Sequence, residues 1–115
     1  IDAVTIANSL PTKDPRMAVG MGGMSGKPIF NDMLDMVRTV RSELGTSSAI
    51  NACGGIFTGQ DAADALSAGA TTVQLYTGMV YRGPWIANKI GRELSSQMQS
   101  RGFRSLDQFH IDAAK

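Results

Sequence analysis

Three short apolar runs, AVTIAN (3–8), SAINAC (48–53) and TTVQLY (71–76), are each followed by a polar, turn-forming segment and then by a stretch with helical spacing. No other feature constrains the fold as tightly. Runs of this length, bounded by turn residues, fit strands buried in a parallel sheet. Successive parallel strands need long crossovers, which helices supply and which are right-handed. The chain is therefore predicted to be α/β. A doubly wound sheet and a (β/α) barrel both satisfy the order. A complete barrel needs about 250 residues and eight such units, whereas this chain has 115 residues and three units. It would be the C-terminal part of a barrel or a small open α/β domain. The chain also starts at Ile1, with a strand already under way, so a piece of a longer protein is expected.

The helical stretches carry their own signals. Met33, Met36, Val37, Val40 and Leu44 recur at three- and four-residue spacing, which marks one face of a helix over 31–44. Asn31 is its expected N-cap and Gly45 its expected C′ residue. A second helix is predicted over 59–68, with Thr58 and Asp61 in a capping arrangement. Pro84 suits the first position of a third. There Ile86, Ile90, Leu94 and Met98 form a four-spaced stripe that ends near Gly102. The tail FRSLDQFHIDAAK has room for one more turn or short helix. Between the first strand and first helix lies SLPTKDPRMAVGMGGMSGKP, with three of the four prolines and four of the 13 glycines. It reads as a loop of about 20 residues, a length that is commonly functional.

Composition narrows the function classes. With 43% hydrophobic and 18% charged residues, the chain is globular rather than disordered. A net charge of +1 without a basic run supports neither a nucleic-acid footprint nor a polybasic membrane patch. No apolar run approaches the ~20 residues that cross a bilayer. Cys53 is the only cysteine and cannot close an internal disulfide, which fits a reducing compartment.

In both candidate architectures ligands gather at the C-terminal ends of the strands. Three turns fall there: Asn8-Ser9, Gly54-Gly55 and Tyr76-Thr77-Gly78. Glycine lets a backbone amide approach an anion closely, and a following helix N-terminus favours negative charge. In barrels a phosphate commonly sits between the loops after the seventh and eighth strands, beside a short extra helix. If SAINAC and TTVQLY are those strands, Gly55 and Thr77 fall on that site and MVYRG (79–83) supplies the short helix. Phosphate binding and a plain tight turn both satisfy this pattern.

Three stretches are more specific: GGMSGKP (22–28), ACGGIFTGQDA (52–62) and AGATTVQLYTGMVYRGP (68–84). Together they resemble dihydroorotate dehydrogenases, whose patterns run GGLSGKP, then GVGGI with SGxDA, then AGASLVQLYT ending in an aromatic residue and GP. The likeness holds in register from about residue 1 to 102. It implies a TIM (β/α)8 barrel of which this chain supplies the C-terminal three β/α units, an FMN cofactor, and oxidation of dihydroorotate to orotate in pyrimidine biosynthesis. Gly26, Gly55, Tyr76 and Thr77 would contact FMN, the last three around its phosphate. Asn8 and Ser9 would contact the pyrimidine. The threonine expected before that asparagine is Ala7 here, so any contact made by its hydroxyl is lost. The catalytic serine base and the lysine near the flavin would lie upstream, leaving no catalytic residue in these 115 residues. The Tyr-Thr pair resembles the quinone-dependent, membrane-associated class, whose membrane contacts belong to N-terminal helices not in this chain. The tail FRSLDQFH looks more like the cytoplasmic class. Other FMN barrels, such as dihydropyrimidine dehydrogenases or dihydrouridine synthases, would bring cysteine clusters or a basic RNA-binding face. A non-catalytic α/β module is the alternative from a different class.

Several residues also have simpler readings. Cys53 reads as a small buried residue at a strand end. His110, without partners at metal or triad spacing, reads as solvated, and the seven methionines read as packing rather than a metal stripe. Lys27 fits a phosphate lysine and a structural role equally. Arg82 reads as a surface residue. A chain holding only these units would leave strand edges open at 3–8 and 71–76, which predicts poor solubility.

Overall fold

The computed structural model describes residues 2–7 and 9–113. Along the chain run β1 (Ala3–Ile6), a hairpin of β2 (Leu10–Lys13) and β3 (Met21–Met24), a 3₁₀ turn (Lys27–Ile29) and α1 (Phe30–Leu44). There follow β4 (Ala49–Cys53), α2 (Gly59–Ala68), β5 (Thr72–Gln74), α3 (Thr77–Arg82), α4 (Ile86–Arg101) and α5 (Asp107–Ala113). The α/β alternation is present as expected.

The main sheet is parallel, in the order β1-β4-β5, with Thr5 opposite Asn51 and Asn51 opposite Thr72. Its outer strands are the two segments expected to have open edges. Side chains alternate between two different environments. Ile6, Ile50 and Ala52, with Val4 and Val73 partly buried, pack on Met33, Leu34 and Val37 of α1, Ala62 and Ala65 of α2, and Ile86 and Ile90 of α4. The other face is polar. There the Asn51 amide donates to Gln74 Oε1 at 2.7 Å and accepts from the Thr72 hydroxyl at 2.9 Å. Thr5 Oγ1 lies 3.4 Å from the same amide nitrogen. Parallel sheets are normally covered on both faces; among the described residues, helices cover one.

Several local expectations need correction. The stretch 9–28 is not an irregular loop. Its arms pair antiparallel, with Leu10 opposite Met24 and Lys13 opposite Met21, around a turn in which the Asp14 carboxylate holds Arg16. β3 is exposed throughout. Helix α1 begins at Phe30, and its N-cap is Ile29 rather than Asn31, because the 3₁₀ turn after Pro28 leads directly into it. α4 begins at Ile86 with Trp85 as N-cap, so Pro84 lies before the helix, not at its first position. On α1, Leu34 is buried while Met36 is exposed. Among the methionines, Met33 is buried and Met98 partly so, but Met17, Met21, Met24, Met36 and Met79 are exposed.

The α4 stripe divides between two cores. Ile86 and Ile90 join the sheet core, whereas Leu94 and Met98 pack with Phe103 against Ala63, Leu66 and Phe109. The Phe103 and Phe109 rings meet edge to face at 5.0 Å. His110, expected to be solvated, is half-buried, with Nε2 2.7 Å from the Ala70 carbonyl oxygen. At the N-terminal ends of β4 and β5, Arg41 donates to the carbonyls of Gly69, Gly45 and Ser48 and lies 3.2 Å from Thr71 Oγ1. One guanidinium thus fastens two connections, α1 to β4 and α2 to β5.

Candidate functional site

At the opposite end of the sheet the turns after the three parallel strands converge. The base of the hairpin brings Ser9, Ser25 and Gly26, the turn after β4 brings Gly54, Gly55 and Ile56, and that after β5 brings Leu75, Tyr76, Thr77 and Gly78. With Gly23, Cys53 and Gln74 they line a cavity of about 240 Å³. Ser9, Gly26, Gly55, Tyr76 and Thr77, all singled out from sequence, are therefore brought together. Asn8 lies outside the described residues. Ser25 and Gln74 join them without having been anticipated. The Ser25 hydroxyl sits 3.0 Å from that of Thr77, so the hairpin base touches the start of α3.

The glycines let these loops interlock. Gly55 has φ 74°, and a Cβ there would lie 2.6 Å from Phe30 Cβ and 2.9 Å from both Phe30 Cα and the Gly26 carbonyl oxygen. Gly26 has φ 82°, and its Cβ would lie 3.0 Å from Thr77 Cγ2. A side chain at Gly55 would meet backbone and push the turns apart, whereas one at Gly26 would meet only the Thr77 methyl and be opposed mainly by the positive φ. The close approach that demands glycine at 55 is therefore to the first turn of α1, while its backbone lines the cavity. The short helix expected near MVYRG is α3, and Tyr76 caps it with its ring largely exposed.

Asp61 organises the wall behind the cavity. It is 6% exposed, and its Oδ2 accepts from the N–H groups of Phe57 at 2.9 Å and Thr58 at 3.1 Å. The Thr58 hydroxyl accepts in turn from the Asp61 N–H at 3.1 Å, which completes a capping box on α2. The other oxygen, Oδ1, takes the Lys27 ammonium at 2.7 Å. Lys27 does not line the cavity, so of its two readings the structural one holds.

A second brace crosses to α4. The Glu93 carboxylate accepts from the Gly59 N–H at 2.6 Å and from Arg82 Nη2 at 2.8 Å, while Arg82 Nη1 reaches the Phe57 carbonyl at 2.6 Å. Arg82 is thus a half-buried strut, not a surface residue. The Gly59 N–H and the Arg82 guanidinium hold the Glu93 carboxyl below the usual carboxylate range. A depressed folded-state value stabilises the fold above the unfolded pKa, near 4.3, and that stabilisation is lost as pH falls through the folded value. Glu93→Gln is expected to flatten acid unfolding between about pH 5 and 3. With the carboxylate 37% exposed, solvent screening keeps the loss at neutral pH below about 1 kcal/mol. Urea midpoints at pH 7 and pH 4 check this, and an unchanged difference between them would refute the role.

Chemically the cavity suits an anion. Among the described residues, no charged side chain lines it. Its polar lining residues are Ser9, Ser25, Gln74, Tyr76 and Thr77, set among the glycines of the three turns. Neutral polar groups and glycine backbone without a carboxylate are a lining that can receive an anion. The volume falls below the ~300 Å³ at the lower end of sites that enclose a whole small-molecule ligand, so it fits part of a larger one. Cys53, at its edge, is 4% exposed, and burial pushes its thiol pKa up, which makes it a poor nucleophile. A larger recess of about 870 Å³ lies around Arg41, at the strand ends where such folds do not bind ligands. The guanidinium there is already engaged with backbone.

The family model described as dihydroorotate dehydrogenase matches residues 2–98. A dihydroorotate dehydrogenase (quinone) of Methylococcus capsulatus is 39% identical over 100 residues, which cover 84% of this chain and 29% of that protein. One from Burkholderia pseudomallei is 52% identical over 63 residues, 55% of this chain and 18% of that protein. Among solved structures, a ligand-free DHODH of Eimeria tenella superposes with a TM-score of 0.81 at 29% identity, covering 94% of this chain and 31% of that one. A DHODH of the same organism in complex with ferulenol gives 0.83 at 30% identity, covering 94% and 30%. The chain thus spans less than a third of the length of the relatives it matches. It belongs to the dihydroorotate dehydrogenase family.

Proposed function

We propose that this chain is the C-terminal three β/α units of an FMN-binding (β/α)8 barrel whose whole oxidises dihydroorotate to orotate, with a quinone as electron acceptor. The convergence of three glycine-bearing turns on one cavity of uncharged donors carries this reading. In it, the backbone of Gly26 and Gly55 and the residues Tyr76 and Thr77 hold the phosphate end of FMN. Asn8 and Ser9 face the pyrimidine. When bound, FMN supplies the hydride acceptor. These residues bind and orient; the base that removes the substrate proton comes from outside this chain.

The polar face of the sheet, bare of helices, supports a barrel interior over a doubly wound sheet. The relatives named as quinone enzymes favour quinone over the acceptor implied by the tail. No helix among the described residues is long and apolar enough to cross a membrane, and membrane association would belong to other segments.

The test is the visible spectrum and dihydroorotate oxidation of the complete polypeptide that carries this segment. A yellow protein that reduces a quinone analogue with dihydroorotate is expected. A colourless, inactive one would overturn the proposal.

A further inference from the structure

The Lys27–Asp61 pair lies behind the cavity, touches none of its open surface, and yet joins two of its walls. Lys27 follows Gly26 directly in the chain. Asp61 holds the N–H groups of Phe57 and Thr58, two and three residues beyond Gly55. The ion pair of 2.7 Å is therefore a cross-link between the SGKP turn and the GGIFT turn. Across it, the Gly26 carbonyl approaches Gly55 so closely that a Cβ there would stand 2.9 Å away. The ammonium is held from other directions too, 4.5 Å from the Phe30 ring centroid and 6.0 Å from that of Phe57. Aromatic faces attract a cation at such distances. A carboxylate as buried as Asp61 needs its cation nearby, so the two turns cannot part without exposing or unpairing it.

We propose that Lys27 and Asp61 are positioning residues that fix the spacing of the two glycine turns, and so set the affinity of the site for the phosphate of FMN. The inference rests on the flavin reading above. It assigns Lys27 a part in cofactor binding without any contact with the cofactor. Direct phosphate lysines neutralise charge; Lys27 instead keeps two neutral, amide-lined turns at a fixed separation.

The experiment measures FMN dissociation constants, by flavin fluorescence, on the stripped complete polypeptide, with thermal midpoints of the apo-proteins as a check on folding. Lys27→Met is expected to weaken FMN binding roughly tenfold to a hundredfold, the range lost when a supporting residue behind a binding site is removed. Lys27→Arg, which restores a cation to Asp61 and the two rings, should return affinity to within about fivefold. If Lys27→Met does not fold, the double variant Lys27→Met/Asp61→Asn replaces it. That variant removes the buried charge while an amide oxygen still accepts from Phe57 and Thr58, and it should bind as weakly. Wild-type affinity in Lys27→Met or in the double variant overturns the proposal. So does equal weakening by methionine and arginine. Failure of the unaltered polypeptide to take up FMN is a different result, because it removes the flavin reading itself.

Discussion

Gly55→Val is expected to destabilise the fold by about 4 kcal/mol and to abolish FMN retention. A β-branched residue at a φ of 74° stores about 1–3 kcal/mol of backbone strain. Its Cβ would also lie 2.9 Å from the Gly26 carbonyl oxygen and the Phe30 Cα. These are backbone atoms that cannot swing aside, and overpacking of this kind adds about 1–3 kcal/mol. The turn after β4 would have to leave the first turn of α1, and the cavity would open with it. Gly54→Ala separates backbone strain from collision, because a Cβ there meets first the Ile29 Cδ1 atom at 2.8 Å, the far end of a side chain, while its φ of 133° is strained for any L side chain. It should lose the strain contribution of about 1–3 kcal/mol without the clash against backbone. Urea unfolding and the 450 nm absorbance of the purified complete polypeptide check both, and a Gly55→Val protein that is yellow with a wild-type midpoint would refute this account of the turn.

Gly59→Ala tests packing against propensity. Alanine is the better helix former by up to ~1 kcal/mol, and Gly59 opens α2 without a positive φ, so propensity alone predicts a more stable protein. Packing predicts the reverse. The alanine Cβ would collide with Glu93 Cβ and stand 2.8 Å from the Leu94 backbone nitrogen. α4 would have to shift, which lengthens the Gly59–Glu93 hydrogen bond and loosens Arg82 from the Phe57 carbonyl. We expect a net loss of about 2–3 kcal/mol, read as a lower thermal midpoint. A higher midpoint would show that α2 and α4 are free to separate.

How far the sequence could be read depended on the range of the forces involved. The helix over 59–68 is found with its predicted ends, because Thr58 and Asp61 settle its start within four residues of chain. Strand β5 is shorter than the apolar run 71–76, since Leu75 and Tyr76 already belong to the turn that lines the cavity. The hairpin was hidden because its β3 arm, MGGM, has no alternating pattern and is exposed on both sides. Of the site, the residues carried by glycine turns and family motifs were legible. Those recruited across space were not. Lys27 and Asp61 are 34 positions apart, as are Gly59 and Glu93, and nothing local marks either pair. His110 likewise looked solitary because its partner, the Ala70 carbonyl, is a backbone atom 40 positions away.

The hydrogen-bonded cluster on the bare face of the sheet has one more consequence. Sliding β5 by one residue against β4 would turn Val73 towards Asn51 and send Thr72 and Gln74 into the apolar layer beneath the helices. The Asn51 amide, which touches side chains of both neighbouring strands, therefore works as a key for strand alignment. Three-residue β5 has too few backbone bonds to choose its own pairing. Its alignment is chosen by a carboxamide.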